Sequence, residues 1–409
     1  SVVGAEDLSP ADTAVLGIDK VLGIVIEKGG ATSHTAIIAG QLGLPCVVRA
    51  GEAASLVDGD EVAVDAARGT VTVAPDDAVR LAVAARRESL AALSADTAEG
   101  ATADGAPVQL LANIGTADDA ERLSAGVQGV GLFRTEVLFL DAQTAPTEDD
   151  QAAVYARALT ALGDRKVVIR TLDAGADKPL AFVTQPGEEN PALGVRAYRL
   201  VRTAPGLMAT QLAAIARAQT TTGGHPWVMA PMIATVAEAE AFAAQARAAG
   251  IGTVGVMVEV PAVAVRAREV LEVVDFVSIG THDLAQYTMA TDRLRGELSD
   301  LLDIWHPAVL DLVAATAEAG RELGKPVGVC GESAGDPVMA LALAGMGVTS
   351  LSMSPASIPG VRFALRSHSL ERCQEIARVA RASRTAPQGR AAALALVEPA
   401  VREVLALEG

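Results

Sequence analysis

Arginines, carboxylates and a cysteine recur in this 409-residue chain at one kind of place, at or just after a short apolar run. Asn113 closes the run at 108–114, and Arg134 and Glu136 follow the one at 129–133. Arg170 and Asp173 stand at and after 167–171, and Glu259 follows 252–258. Thr281, His282 and Asp283 follow 276–279, and Cys330, Gly331 and Glu332 follow 327–329. Arg196 and Arg293 stand in the stretches after the third and sixth runs. A guanidinium binds phosphate or carboxylate through two parallel hydrogen bonds, so Arg134, Arg170, Arg196 and Arg293 suit a small dianion or trianion. Glu259 and Asp283 suit Mg2+, a hard cation that takes one or two carboxylates plus substrate oxygens. Cys330 can be a proton donor or a nucleophile; a small buried hydrophobe is the plainer alternative. Each arginine alone reads as a surface ion pair. As a set at run ends they read as one site.

A second candidate is His34, preceded by Gly29, Gly30, Ala31, Thr32 and Ser33. Glycines before a helix start let backbone N–H groups approach an anion, and the helix dipole favours negative charge there. Thr32 or Ser33 can cap that helix. A histidine in its first turn is placed to accept a phosphoryl group, and the dipole favours the neutral, nucleophilic imidazole. A core or capping histidine is the alternative. His225, His306 and His368 sit near turns or helix ends and are given no role.

These residues need elements to hold them. Residues 1–74 are rich in short β runs, at 21–27, at 45–49 and in two alternating strands within 57–74 around a turn that ends in Arg68 and Gly69. Residues 76–95 have helical periodicity and no glycine or proline, and 95–106 read as a polar linker and the main domain boundary. Beyond it, apolar runs at 108–114, 129–133, 167–171, 227–232, 252–258, 276–279, 327–329 and 350–353 alternate with helical stretches. Eight βα units match a closed (β/α)8 barrel, whose active site lies at the C-terminal ends of the strands. An open doubly wound sheet suits six units better and ranks second. The fold class expected is therefore α/β, a C-terminal (β/α)8 barrel after a smaller β/α domain and a connecting helix. Beyond Ser369 amphipathic helices follow, the clearest at 391–407 with a break at Pro399.

Composition limits the alternatives. Half the residues are hydrophobic and 3% aromatic, which suits small-residue packing of helices on a sheet. The net charge of −17 argues against a general nucleic-acid binder. It leaves room for an anionic ligand held by a few clustered arginines. The three cysteines, Cys46, Cys330 and Cys373, have no framework spacing, so a reducing, cytoplasmic setting is expected. No export signal or membrane insertion is expected either.

The segment GGATSHTAIIA resembles the phosphohistidine motif of the PEP-utilising enzymes. GVGLFRTEVLFLD, VVIRTLDAGADKPL, NPALGVRAYRL, GVMVEVPAVAV, SIGTHDLAQYTMATDR and VCGESAGDP resemble, in the same order, barrel motifs of the Enzyme I family of the bacterial sugar phosphotransferase system. The resemblance implies that phosphoenolpyruvate (PEP) phosphorylates His34 and leaves as pyruvate. Arg134, Arg170, Arg196 and Arg293 would hold PEP, Glu259 and Asp283 would bind Mg2+, and Cys330 would protonate the enolate. His282 falls at a substrate-binding position where the family usually has asparagine. A histidine donates from both ring nitrogens only when protonated, so PEP affinity or its pH dependence is expected to differ. Ala31 stands where the family often has a basic residue.

The implied domains are a partial swivelling phosphohistidine domain at 1–75, a linker helix and hinge at 76–104, and a PEP-binding barrel and dimerisation domain at 105–409. Longer family members carry a helical domain that docks the small carrier protein HPr, and the first part of the phosphohistidine domain, ahead of the matching region. A truncated chain is therefore expected, poor at delivery to HPr, and a homodimer through the barrel. The alternatives are a pyruvate phosphate dikinase or PEP synthase type of enzyme, and a non-catalytic PEP-binding regulatory paralogue.

Overall fold

A computed structural model describes residues 1–6, 21–28, 35, 39, 44–51, 53, 56–66, 68–140, 142–175, 180, 182–183, 187–293 and 295–407. The expected α/β architecture is present. Eight strands, β6 (Gln109–Ile114), β7 (Gly129–Arg134), β8 (Lys166–Arg170), β9 (Trp227–Ala230), β10 (Thr253–Val258), β11 (Phe276–Ile279), β12 (Val327–Val329) and β13 (Ser350–Met353), close into one barrel, every neighbouring pair parallel. Each lies inside or within one residue of an apolar run of the sequence, because a parallel strand covered on both faces reads as an unbroken apolar stretch. Leu132, Val168, Met229, Met257 and Phe276 fill the interior with Cys330, so the barrel is packed and is not a pore. Each such fully buried side chain contributes about 1.5–3 kcal/mol. At the N-terminal mouth, the Lys166 ammonium lies 3.7 Å from the Trp227 ring centre and closes the plug.

Helices start where the sequence supplies caps. Thr116 and Thr147 each bond the backbone N–H three residues on, while Asp119 and Asp150 return the bond to the cap. Such caps contribute about 1 kcal/mol each.

Before the barrel, β1 (Val2–Ala5), β2 (Gly23–Ile26) and β3 (Cys46–Val47) form a parallel sheet, and β4 (Val62–Asp65) and β5 (Thr70–Val73) an antiparallel hairpin. The helix Asp77–Ala95 follows, capped by Asp76 and with no residue buried. The segment read as a linker, 95–106, is fastened to the barrel. Arg362 donates to the carbonyls of Asp96 and Gly126, and Gln128 Oε1 accepts from Gly100 N and Leu110 N at 3.0 and 2.8 Å. Ala103 N donates to the His368 carbonyl at 2.8 Å.

The C-terminal helices Leu370–Arg381, Ala386–Ala395 and Pro399–Leu405 pack on the barrel's outer layer, with the break at Pro399. No helix among the described residues is long and apolar enough to cross a membrane.

His368 ties this end together. It is 2% exposed, its Nδ1 lies 2.7 Å from the Ala364 carbonyl, and its Nε2 accepts from Glu398 N at 3.0 Å. That network assigns the proton to Nδ1. Burial lowers its pKa below the ordinary value near 6.5, against the pull of the Ala364 carbonyl and Glu398. The unfolded chain then binds the extra proton first, so stability is full above about pH 6.5 and falls as pH drops below it. Urea midpoints between about pH 5 and 7 are expected to lose much of this slope in His368→Gln. An unchanged slope would mean the acid sensitivity arises elsewhere.

Candidate active site

The strand ends carry a chain of alternating charges across the C-terminal mouth. From β7, Glu136 pairs with Arg170 at the end of β8. Arg170 Nη1 lies 3.1 Å from Asp173 Oδ2, and Asp173 Oδ1 lies 2.9 Å from Arg196 Nη2. Arg196 Nη1 reaches Asp283 Oδ1 at 3.3 Å, and Arg293 Nη1 lies 3.7 Å from the same oxygen. Arg196 is 1% exposed, so its charge is tolerated only because two carboxylates flank it. Arg293 is about one-third exposed at the rim.

Two left-handed backbone positions aim this set. Ala197, at φ 54°, follows Arg196 and starts the short helix Ala197–Arg202, with its N–H on the Ala174 carbonyl at 2.8 Å. Met232, at φ 58°, turns its N–H toward Glu259 Oε1 at 2.6 Å. Non-glycine residues held there cost roughly 1–3 kcal/mol each, and such strain concentrates at functional sites.

Glu259 follows β10 and is 1% exposed. Burial, then the Asp283 and Asp173 carboxylates, push it up to about 8, against the pull of Arg170 and Arg196. A carboxyl group raised by neighbouring carboxylates in this way favours a cation between them. Among the described residues no three His, Cys, Asp or Glu side chains gather as a metal cluster. Two carboxylates, joined by substrate oxygens, would instead fit the sparse protein ligation of Mg2+.

Cys330 follows β12 and is 2% exposed, with Sγ 3.7 Å from the Ile279 carbonyl. Burial pushes the thiol up, while the bond with Ser278 and the Arg170 and Arg134 charges pull the other way. The net rise keeps the proton on sulfur, the state a proton donor needs. Asn113, re-aimed by a register shift between Ala112 and Asn113, donates from Nδ2 to the Cys330 carbonyl at 3.1 Å. Gly331 is required next: a Cβ there would sit 2.1 Å from Thr281 Oγ1.

Of the residues expected from the sequence, Arg170, Arg196, Arg293, Glu259, Asp283 and Cys330 converge on this mouth. Arg134 is the last residue of β7 and faces Arg170 in register. His282 is exposed, beside Asp283 in the first turn of the helix Thr281–Thr288. His34 and the glycines before it lie outside the described residues. The Met232 and Ala197 backbones escaped sequence reading, since neither residue type signals positive φ. Two atoms at the end of β8, Arg170 Nε and Thr171 Oγ1, are buried without a protein hydrogen-bond partner. Leaving such a group unmatched costs about 1–3 kcal/mol.

Comparison with known proteins bears on this geometry. Residues 90–370 match the family described as PEP-utilising enzyme, PEP-binding domain, and residues 1–69 match PEP-utilising enzyme, mobile domain. The chain belongs to the PEP-utilising enzymes. It is 50% identical over 400 residues to the phosphoenolpyruvate-protein phosphotransferase of Streptomyces coelicolor, covering 97% of this chain and 72% of that protein. It is 43% identical over 402 residues to the multiphosphoryl transfer protein of Xanthomonas campestris, covering 95% and 48%. It is 43% identical over 382 residues to the phosphoenolpyruvate-protein phosphotransferase of Haloferax volcanii, covering 89% and 66%. The chain thus spans between about half and three-quarters of these relatives. The PEP-binding match covers all eight barrel strands and the barrel site residues, and His34 falls in the mobile-domain match.

Proposed function

We propose that this chain is a phosphoenolpyruvate–protein phosphotransferase that moves the phosphoryl group of PEP to His34 and releases pyruvate. The family and the names of its relatives make it a transferase that works on PEP. The observation that carries the residue-level reading is the buried Arg170–Asp173–Arg196–Asp283 chain, with Arg170 Nε held in the barrel mouth without a partner.

Arg134, Arg170, Arg196 and Arg293 bind the phosphate and carboxylate of PEP, and the exposed His282 joins them as a substrate-binding residue. Their charge offsets what develops as the bridging P–O bond breaks and a P–N bond forms to a His34 ring nitrogen. Glu259 and Asp283 would hold Mg2+, which supplies further neutralisation of the phosphoryl oxygens. The electron pair of the broken bond remains on the enolate. Cys330 Sγ gives its proton to the enolate carbon, completing pyruvate, and the thiolate regains a proton from solvent.

His34 belongs to the region matched as the mobile domain, so it approaches and leaves the barrel by a domain movement. With 95–106 fastened to the barrel, we read the pivot at residues 74–76, where Ala74 has φ 49° ahead of Pro75. In the whole protein the acceptor after His34 is an HPr-type carrier. The setting is cytoplasmic and the assembly a homodimer through the barrel. The phosphotransferase names of the relatives given above favour this reading over the pyruvate phosphate dikinase or PEP synthase type, and the buried charge chain favours it over a barrel that has lost its chemistry.

Calorimetric titration with PEP tests the site. Binding is expected with Mg2+, and weakened roughly tenfold or more, about 1.4 kcal/mol, after chelation with EDTA. Equal affinity in both conditions would remove Glu259 and Asp283 as metal ligands.

A further inference from the structure

The charged ends of β7 and β8 are joined by side chains instead of backbone. The β7–β8 ladder stops at the pair Arg134–Arg170, the last residues of the two strands. Beyond it Thr135 Oγ1 donates to the Arg170 carbonyl at 3.0 Å. Gln211, on the helix Pro205–Thr222 behind the strands, is 1% exposed and completes the join. Its Oε1 accepts from Leu172 N at 2.8 Å, and its Nε2 donates to Thr135 Oγ1 at 3.1 Å and to Tyr155 OH at 3.0 Å. Tyr155 OH in turn donates to Gln151 Oε1 at 3.3 Å, and Gln151 Nε2 donates to the Pro146 carbonyl at 3.0 Å.

Around Gln211, every side-chain donor has its own acceptor. Both amide hydrogens of Gln211 are used, the Thr135 hydroxyl gives one bond and receives one, and so does the Tyr155 hydroxyl. The amide can therefore sit only one way round, because a flipped Gln211 would face Leu172 N with an N–H. A fully satisfied buried network fixes geometry more firmly than separate bonds do. This one holds the backbone at the Arg170 carbonyl and at Leu172, and at Thr135, between Arg134 and Glu136. The four charged groups of that corner, Arg134, Glu136, Arg170 and Asp173, ride on the backbone it clamps.

We infer that Gln211 and Thr135 are positioning residues for PEP, setting the spacing of Arg134 and Arg170 without touching the ligand. The inference rests on the reading of this mouth as the PEP site. Its chemistry follows from the ligand: a phosphate bound by two guanidinium groups tolerates little change in their separation, and misplacement by about 1 Å costs as much as a hundredfold.

The test is calorimetric titration of the parent, Thr135→Val, Thr135→Ser, Gln211→Met and the Thr135→Val, Gln211→Met double variant with PEP and Mg2+, beside thermal melts of each. Thr135→Val removes the hydroxyl at nearly constant volume, and Thr135→Ser keeps it. The expected result is PEP affinity weakened roughly tenfold or more in Thr135→Val and in Gln211→Met, restored in Thr135→Ser, and no weaker in the double variant than in the worse single one. A merely structural role would lower the melting temperature and leave the affinity of the folded protein unchanged. Parent-like binding by Thr135→Val overturns the inference and leaves the site intact. So does equal weakening in Thr135→Val and Thr135→Ser, which would make the effect one of packing. Absence of binding by the parent overturns the reading of the site and this inference with it.

Discussion

Arg196→Met is expected to remove measurable PEP binding and to destabilise the barrel. The guanidinium is 1% exposed and bridges Asp173 at 2.9 Å and Asp283 at 3.3 Å. Truncating one member of a buried charge set leaves the others uncompensated, at about 3–5 kcal/mol. Asp173 keeps Arg170 at 3.1 Å, and Asp283 keeps, among the described residues, the longer contact with Arg293 at 3.7 Å. The loss of affinity should reach roughly a hundredfold or more, about 2.8 kcal/mol at about 1.4 kcal/mol per tenfold. Arg196→Lys restores the charge but not the fork that reaches two carboxylates at once, so it should regain part of the stability and less of the affinity. Urea denaturation and PEP titration of the two variants separate the effects. Wild-type affinity in Arg196→Met would place PEP elsewhere.

Glu259→Gln should behave in the opposite sense on stability. Its carboxyl is buried and faces Asp283 and Asp173, which already push it up to about 8. The amide keeps an oxygen for the Met232 N–H, mimics the neutral carboxyl below about pH 8, and above that pH removes a charge that the site holds at a cost. The variant should be as stable as the parent or more so. PEP-dependent labelling should nevertheless fall by about 10²–10³-fold and lose its dependence on Mg2+, since charge stabilisation in a dry site gives effects of that size. Stopped labelling time courses at several Mg2+ concentrations read this directly. Loss of stability together with activity would make Glu259 a structural carboxylate.

Much of the barrel was legible because its strands announce themselves twice. Each is an apolar run, and most are followed by polar groups that only a strand-end site explains, as Arg170 and Asp173 follow Val167–Ile169 and Cys330 follows Val327–Val329. Buried parallel strands need continuous apolar stretches, so the eight runs survived into the structure with shifts of two residues at most at either end. What stayed hidden depends on tertiary contact. Gln211 reads as one more polar residue of an Ala- and Thr-rich helix, and only the closed barrel brings it to Thr135 and Leu172. Met232 and Ala197 carry no residue-type signal for positive φ; packing imposes that conformation and the site uses it. The polar segment at 95–106 has linker composition but is held by Arg362, Gln128 and His368, partners far away in the chain. Composition cannot reveal such bonds.

The most direct measurement of the central claim is intact mass after incubation with PEP and Mg2+, for the parent and for His34→Ala. The account predicts one added acid-labile phosphoryl group in the parent and none in the variant, with pyruvate released in step. A parent that gains nothing while it binds PEP, or a His34→Ala variant that gains the same group, would contradict it.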